Sequence, residues 1–265
     1  MLDDSFAILA VGACGLGIIF GSFLNALLFR FNTGRGMGGR SRCMRCNHTL
    51  GTLDLVPLLS YLFLWGRCRY CGTTISWQYP LVEAVAGALS LGLFFLYPLQ
   101  PLLFGYWLVV WLVILFIVVY DARHMIIPWS SSLTLLALSV VHVLLSPVTW
   151  ASVSAGVLLA LPLFLLSLVS QGRWMGWADS LFELSLGTLL GLSAGGTALL
   201  FGVWSGALIG VALIALQRLT PMFGSRTGPR RFTIQSEIPF GPYLALGAAI
   251  VFFFHVDLFS TLSLF

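Results

Sequence analysis

This sequence has very little charge and no lysine. Charged residues make up 8% of its 265 positions, the 13 basic residues are all arginine, and only nine residues are Asp or Glu. A soluble fold of this length exposes many more charged side chains, so the scarcity excludes an ordinary soluble globular protein. The formal net charge of +4 is interpreted as a consequence of membrane topology, and we expect no nucleic-acid partner.

The chain is rich instead in long apolar runs. Hydrophobic residues make up 59% of the sequence, and its mean hydropathy is +1.00. The runs lack period-two alternation, which favours membrane helices over a β-barrel. The sequence therefore predicts an all-α polytopic membrane protein with lipid as its solvent. About eight spans are predicted near residues 5–29, 81–97, 102–120, 130–147, 151–170, 179–194, 196–217 and 239–258.

Two details of these spans are specific predictions. The sixth span is the weakest, because it is short and carries Glu183. Turn-forming residues 193–196 (SAGG) predict the break between the sixth and seventh spans. In the first span, Gly17 and Gly21 have the spacing of a close helix-packing motif, although plain glycine enrichment of membrane helices explains them equally well.

The arginines predict the orientation. With eight spans, every arginine falls in a break on one side, which the positive-inside rule makes cytoplasmic. Both chain ends then lie outside. The predicted divisions are a first helix (1–30), a cytoplasmic loop (31–79) and a membrane core (80–265). The arginines are Arg30, Arg35, Arg40, Arg42, Arg45, Arg67 and Arg69 around the first loop, and Arg123, Arg173, Arg218, Arg226, Arg230 and Arg231 in later breaks.

Four cysteines in the loop form two pairs, each with two residues between its members. Residues 47–67 separate the pairs, which is close to the spacing of zinc sites built from two cysteine knuckles. A reducing cytoplasmic loop argues against disulfides, and free or redox-active thiols are the remaining alternative. Four sulfurs would leave no open coordination position, so the zinc is expected to be structural. The four ligands are Cys43, Cys46, Cys68 and Cys71.

Asp121 and Asp179 each follow an apolar segment and fall on the same predicted face of the membrane. An acid at membrane depth is costly to keep and is by default a functional candidate. Two that face each other could act as an acid–base pair that activates water. The alternative is that both are boundary acids facing lipid headgroups.

An ordered set of motifs then resembles a known family. Residues 21–30 (GSFLNALLFR) resemble the start of bacterial type IV prepilin peptidases. Residues 121–128 (DARHMIIP) and 175–179 (MGWAD) resemble the two catalytic aspartate motifs of that family, the second being of GxGD type. The other matching segments are residues 54–61 (DLVPLLSY), 66–69 (GRCR), 75–83 (ISWQYPLVE) and 238–247 (IPFGPYLALG).

The resemblance implies an eight-span membrane aspartic endopeptidase. It would remove the basic leader of type IV prepilins or pseudopilins at the cytoplasmic face. It would also methylate the new N-terminal amine with S-adenosylmethionine, and the donor-binding residues are unknown. Asp121 and Asp179 would share a proton, one activating water and the other donating to the peptide carbonyl. The supporting residues would be Gly176, Ala178, Pro128, Glu83 and Asn25.

Some of these assignments leave alternatives open. Glu83 also suits a plain helix N-terminal acid, and Asn25 could simply hydrogen-bond to another helix. Glu183, one helical turn after Asp179, would either repel its charge or face water.

The sequence also departs from the family pattern near both aspartates. Ala178 stands where the family usually has Gly, Leu181 where it often has Lys, and Trp129 where it often has Asp. Two other functions remain open, namely a peptidase without methyltransferase activity and a non-catalytic membrane scaffold or transporter.

Overall fold

The structure, a computed structural model, describes residues 4–33, 38–145, 149–219 and 239–262. Its regular elements within these ranges are helices, with two isolated β-bridges in the cysteine loop. Asp3, Arg35, Arg226, Arg230, Arg231 and Ile238 lie outside the described residues. In chain order the helices are α1 (Asp4–Arg30), α2 (Leu59–Phe63), α3 (Gln78–Leu96), α4 (Pro101–His124), α5 (Trp129–Leu145), α6 (Thr149–Val169), α7 (Trp177–Leu190), α8 (Leu192–Leu219), α9 (Gly241–Phe254) and α10 (Leu258–Leu262).

Each of the eight predicted spans corresponds to one α-helix. Among the described residues, the additional elements are the short helices α2 and α10 and a 3₁₀ turn at Thr52–Asp54. Within the same ranges, five helices are long and apolar enough to cross a membrane: α1, α3, α4, α6 and α8. The helices α5 and α9 are apolar but shorter. At about 1.5 Å per residue, the 14-residue helices α7 and α9 extend about 21 Å, less than a hydrocarbon core of about 30 Å. The predicted fold class, an all-α polytopic membrane protein with a cysteine loop between its first two spans, is confirmed.

The predicted break at residues 193–196 is wrong. The chain turns at Gly191 instead, whose φ of +81° is readily available only to glycine, and α8 begins at Leu192. The glycines of the predicted turn serve helix packing, since a β-carbon on Gly195 would lie 2.7 Å from Leu159 Cδ1. Ser193 donates a hydrogen bond to Asp257 Oδ1 at 2.6 Å. Glycine in a membrane helix therefore marked close packing here, where the sequence pattern indicated a turn.

The described residues as far as Phe116 form one compact unit. Its main contact is an antiparallel packing of α1 on α3, in which two α1 glycines allow a close approach. A β-carbon on Gly17 would collide with the Ala86 carbonyl oxygen, and one on Gly21 would lie 2.8 Å from Glu83 Cα. The packing interpretation of this glycine pair is thus confirmed.

The described residues from Ile117 onwards form the second compact unit. Within it α7 packs against α5, α6, α8 and α9, and α8 also packs against α9. Small residues again set the distances, because a β-carbon on Gly156 would collide with Thr188 and one on Gly247 would collide with the Ala198 carbonyl oxygen. This packing fixes the N-termini of α7 and α9, and these two helix ends build the site described next.

Candidate active site and metal centre

Asp121 lies in the last turn of α4 and is only 4% exposed. The helix ends just beyond it, where Met125 adopts φ +54° and donates its N–H to the Asp121 carbonyl oxygen at 2.7 Å. The side chain reaches the first residue of α9, since Gly241 donates its N–H to Asp121 Oδ2 at 3.0 Å. The first N–H groups of a helix lack partners within the helix and carry its positive dipole end. The carboxylate therefore occupies a position that favours negative charge.

Asp179 is held in a similar way at the start of α7. Gly176 precedes the helix with extended backbone angles and donates its N–H to Asp179 Oδ2 at 2.9 Å. The Asp179 N–H in turn donates a hydrogen bond to the Gly176 carbonyl oxygen at 3.2 Å. An acid at the third helical position commonly caps a helix in this way, so capping alone explains one oxygen of Asp179.

Capping does not explain why a second acid stands beside it. The Asp121 and Asp179 carboxylates are close enough that their like charges repel. Acids are rare in this apolar chain, and two of them in one place are costly to keep. Each presents Oδ2 to a helix N-terminus, and no hydrogen bond to Oδ1 of either occurs among the described residues. The arrangement is a carboxylate pair, anchored by one oxygen on each side, whose remaining oxygens can bind water or a substrate carbonyl.

Three of the predicted supporting residues, Gly176, Ala178 and Pro128, belong to this unit. Gly176 contacts Asp179 directly, and Ala178 lies in the first turn of α7. Pro128 comes after α4 has ended at His124, so it does not itself break that helix. Its carbonyl oxygen instead accepts hydrogen bonds from Ser131 Oγ at 2.8 Å and from the Ser132 N–H at 3.1 Å in the first turn of α5.

Glu183 is 2% exposed, so the expectation that it might face water is wrong. The charge that repels Asp179 is that of Asp121, and no hydrogen-bond partner of Glu183 occurs among the described residues. Trp129 is 61% exposed, and Leu181 is half-buried. The positions that depart from the family pattern therefore differ widely in their surroundings.

Gly241 was not assigned a role from the sequence, although it belongs to the last-span motif. A β-carbon there would lie 2.8 Å from Asp121 Oδ2 and 3.4 Å from Ile127 Cδ1. Only glycine lets the start of α9 approach the carboxylate this closely. The sequence signal that could have identified Gly241 is its place directly before Pro242. Proline is favoured in the first turn of a helix, so it marks Gly241 as the start of α9.

The four cysteine sulfurs of the loop converge as predicted. They all lie within 4.8 Å of one another, and Cys43 Sγ is 3.8 Å from Cys71 Sγ. Sulfurs bound tetrahedrally at about 2.3 Å from zinc lie about 3.8 Å apart, so the group has the size of a four-thiolate metal site. Hydrogen bonds from the Cys46 and Arg45 backbone lower the pKa of the Cys43 thiol to about 6, whereas burial and the neighbouring cysteines raise the pKa of the Cys71 thiol to about 11.

The two cysteine pairs share one backbone design. Cys43 and Cys68 each accept, on the carbonyl oxygen, the N–H of the residue four positions later, Asn47 and Gly72. Both of those residues have positive φ, +56° and +70°. An antiparallel bridge then closes each turn, at Arg42–Thr49 and Arg67–Thr74. Each turn is a knuckle that presents two sulfurs to the same side.

Asp54 links the two knuckles. Its carboxylate accepts the Gly51 N–H at 3.0 Å and the Tyr70 hydroxyl at 3.1 Å, and it pairs with Arg69 Nε at 2.7 Å. Burial raises the pKa of this carboxyl, but the hydrogen bonds and the Arg69 charge outweigh burial, so the pKa lies below its usual value. The Tyr70 ring also stacks on His48 with centroids 3.7 Å apart. The loop therefore has its own polar framework beside the sulfurs.

Asn25 and Glu83 belong to the first unit and lie where α1 packs on α3. Asn25 is 3% exposed and donates from Nδ2 to the Tyr79 carbonyl oxygen at 3.0 Å. Glu83 is 6% exposed and accepts the N–H of Leu58, a loop residue, at 2.8 Å on Oε2. Both residues are thus buried and hydrogen-bonded, and Glu83 ties the cysteine loop to the helix pair.

The fold and these sites define a polytopic membrane protein with a paired-aspartate centre and a four-cysteine loop. The bacterial peptidase A24 N-terminal domain model matches residues 16–97. The chain is 30% identical to the prepilin leader peptidase/N-methyltransferase of Burkholderia pseudomallei strain 1026b, over 98% of this chain and 91% of that protein.

Other relatives carry the same name. The identity is 30% to the Bacillus subtilis protein, over 92% of this chain and 94% of that protein. It is 34% to the Aeromonas salmonicida strain A449 protein, over 80% of this chain and 70% of that protein. No solved structure matches the chain. The chain belongs to the prepilin leader peptidase/N-methyltransferase family, as the motifs predicted.

Proposed function

We propose that this chain is an aspartic endopeptidase that removes the leader of type IV prepilins or pseudopilins and methylates the new N-terminal amine. The observation that carries the peptidase part is the carboxylate pair of Asp121 and Asp179, each anchored at a helix N-terminus. The relatives named prepilin leader peptidase/N-methyltransferase support both parts. A scaffold or transporter would have no need of a four-cysteine loop in the same chain as such a pair.

In the proposed reaction the two carboxylates share one proton, because placing two negative charges in one site is energetically unfavourable. The ionised aspartate takes a proton from a water molecule, which attacks the scissile carbonyl carbon. The protonated aspartate donates its proton to the carbonyl oxygen. The Gly176 and Gly241 N–H groups hold the two carboxylates in place during this exchange, and the pair titrates as a unit.

The surroundings of Asp179 suit an extended substrate. Gly176 has no side chain and Ala178 has only a methyl group. A peptide backbone can approach such small residues closely. Pro128 would support the site by stiffening the short connection between α4 and α5, whose Ile127 packs near Gly241.

We propose zinc as the ion held by Cys43, Cys46, Cys68 and Cys71, because the sulfur separations fit it. Four thiolates would saturate the ion, so it would stabilise the loop and take no part in chemistry. Since Glu83 accepts a loop N–H, a folded loop would also set the position of Leu58 over the α1–α3 pair.

For the second activity, S-adenosylmethionine would supply the methyl group. The buried oxygen acceptors of Asn25 and Glu83 fit a positively charged ligand, and they lie within residues 16–97, which match the N-terminal domain model. We therefore propose that the first unit serves methyl transfer, while the second unit carries the peptidase centre.

The protein is a multi-pass membrane protein, and we propose the bacterial cytoplasmic membrane as its location. The arginine distribution supports a cytoplasmic cysteine loop and outside termini. Among the described residues, Arg30, Arg123 and Arg173 stand at or just beyond the predicted cytoplasmic ends of α1, α4 and α6. The division into a first helix (1–30), a zinc loop (31–79) and a peptidase core (80–265) remains part of this proposal.

Co-expression with a type IV prepilin, followed by mass analysis of the pilin N-terminus, tests both activities together. We expect loss of the leader and a gain of one methyl group on the new terminus. Cleaved but unmethylated pilin would support the peptidase activity and refute the methyltransferase activity. An intact precursor, with the protein present in the membrane, would refute the peptidase.

A further inference from the structure

A buried polar cluster lies between α1 and α3, about 7 Å from their ends at the cysteine loop. Ser22 and Asn25 stand one turn apart on α1, and Tyr79 and Glu83 stand one turn apart on α3, so each pair shares a helix face. Gly21 contacts the backbone of Glu83, and Asn25 bonds to Tyr79. The four residues therefore occupy one layer of the helix packing.

This cluster has more acceptors than donors. Asn25 Oδ1 is buried and has no hydrogen-bond partner among the described residues, and leaving such an atom unpaired costs about 1–3 kcal/mol. Glu83 accepts the Leu58 N–H, and the Ser22 side chain lies beside the same carboxylate. A carboxylate offers about four acceptor positions, so about two remain.

The cluster also lacks a cation. In the part of the chain that the structure describes, Asp54 is the acid that forms a salt bridge, with Arg69, and Glu83 has none. A buried carboxylate without a cation is unfavourable. A ligand that satisfies both the Asn25 oxygen and the Glu83 carboxylate would be small, positively charged and rich in N–H groups.

A purely structural role accounts for only part of this arrangement. Leu58 adopts φ +59°, a conformation that is strained for a branched residue, and its bond to Glu83 helps to hold it. That bond uses Oε2 alone; it leaves the Asn25 oxygen without a hydrogen-bond partner and the Glu83 carboxylate without a cation among the described residues.

We propose that Asn25 and Glu83 bind a primary ammonium group, with the Asn25 amide oxygen accepting one N–H and the Glu83 carboxylate facing the charge. This inference rests on the proposed methyl transfer, which offers two such groups. One is the new N-terminal amine of the cleaved pilin, and the other is the amino-acid end of the methyl donor. For the pilin amine, Glu83 also takes a proton from nitrogen, because only the neutral amine has the lone pair that accepts a methyl group.

Binding measurements on the purified full chain in detergent test this without turnover. The probes are a short apolar peptide with a free N-terminal amine, the same peptide acetylated, and S-adenosylhomocysteine. Glu83→Gln keeps an oxygen for the Leu58 N–H but removes the charge, and Asn25→Leu removes the amide. Ser90→Ala is the matched control, since Ser90 is buried in the same helix pair and bonds to the Ala13 carbonyl oxygen.

We expect the unmodified chain and Ser90→Ala to bind the free-amine peptide roughly tenfold or more tightly than the acetylated one. In Glu83→Gln and Asn25→Leu the ratio falls towards one. If the ratio is unchanged but S-adenosylhomocysteine binding weakens by a similar factor, the ammonium group comes from the donor. Unchanged values for every probe in both variants would overturn the proposal.

Leader removal separates failure of this inference from failure of the proposed function. Variants that still remove the leader are folded, so their binding results stand. If Glu83→Gln no longer removes the leader, the binding ratio measured for Asn25→Leu decides whether the site binds an ammonium group. A chain that never methylates pilin refutes the methyltransferase part, whatever the variants show.

Discussion

Replacing Gly241 by alanine tests how closely α9 must approach Asp121. The added β-carbon would lie 2.8 Å from Asp121 Oδ2, so either the carboxylate or the start of α9 has to move by roughly half an ångström. Such a shift lengthens the hydrogen bond from the Gly241 N–H to the Asp121 carboxylate. Since a displacement of about 1 Å can reduce catalysis about 100-fold, we expect roughly a tenfold loss of leader removal.

Two other glycines calibrate this result. A β-carbon on Gly176 would lie 3.1 Å from Asp179 Oδ2, whereas one on Gly105, in α4, meets nothing within 4 Å. The expected order of activity is therefore Gly105→Ala equal to the unmodified chain, Gly176→Ala a few-fold lower, and Gly241→Ala lowest. The assay is the initial rate of leader removal by purified protein, read by mass spectrometry, with thermal unfolding as the folding control. Full activity of a folded Gly241→Ala would refute the close contact between α9 and Asp121.

Three further predictions concern other parts of the chain. Replacing Cys43 and Cys46 by Ser should release the bound metal and make the loop sensitive to protease; undiminished zinc by elemental analysis would refute the ligand assignment. Asp54→Asn removes the charge that pairs with Arg69, so we expect weaker zinc retention against a chelator with the four cysteines intact, and equal retention would show that the Asp54 link is dispensable. Glu183→Met replaces a buried acid by an apolar side chain of similar size and should raise the melting temperature by a few degrees; a clear decrease would reveal a partner for Glu183 beyond the described residues.

The fold and the two centres were predictable because their signals are local. Apolar runs mark membrane helices wherever they pack, and a cysteine pair with two intervening residues forms a knuckle within one turn. Asp121 and Asp179 stood out because acids are so rare in this chain. The arginine distribution also favoured eight spans, which agrees with one helix for each predicted span.

What could not be predicted depends on distant contacts. Gly241 is 120 positions from Asp121 in the sequence, and nothing beside it shows which side chain its N–H would meet. The glycines near residue 195 suited either a turn or close helix packing, and the contact with Leu159 decided between them. Likewise, the burial of Glu183 follows from the packing of α7 against four other helices.

The most direct test of the aspartic mechanism is the rate of leader removal by Asp121→Asn, Asp179→Asn and the double variant, each purified in folded form. Because two carboxylates that share a proton act as one unit, each single change should remove nearly all activity, by a factor of about 1,000 or more, and the double change should add little. Leader removal within about tenfold of the unmodified chain by either single variant would contradict the paired-aspartate mechanism.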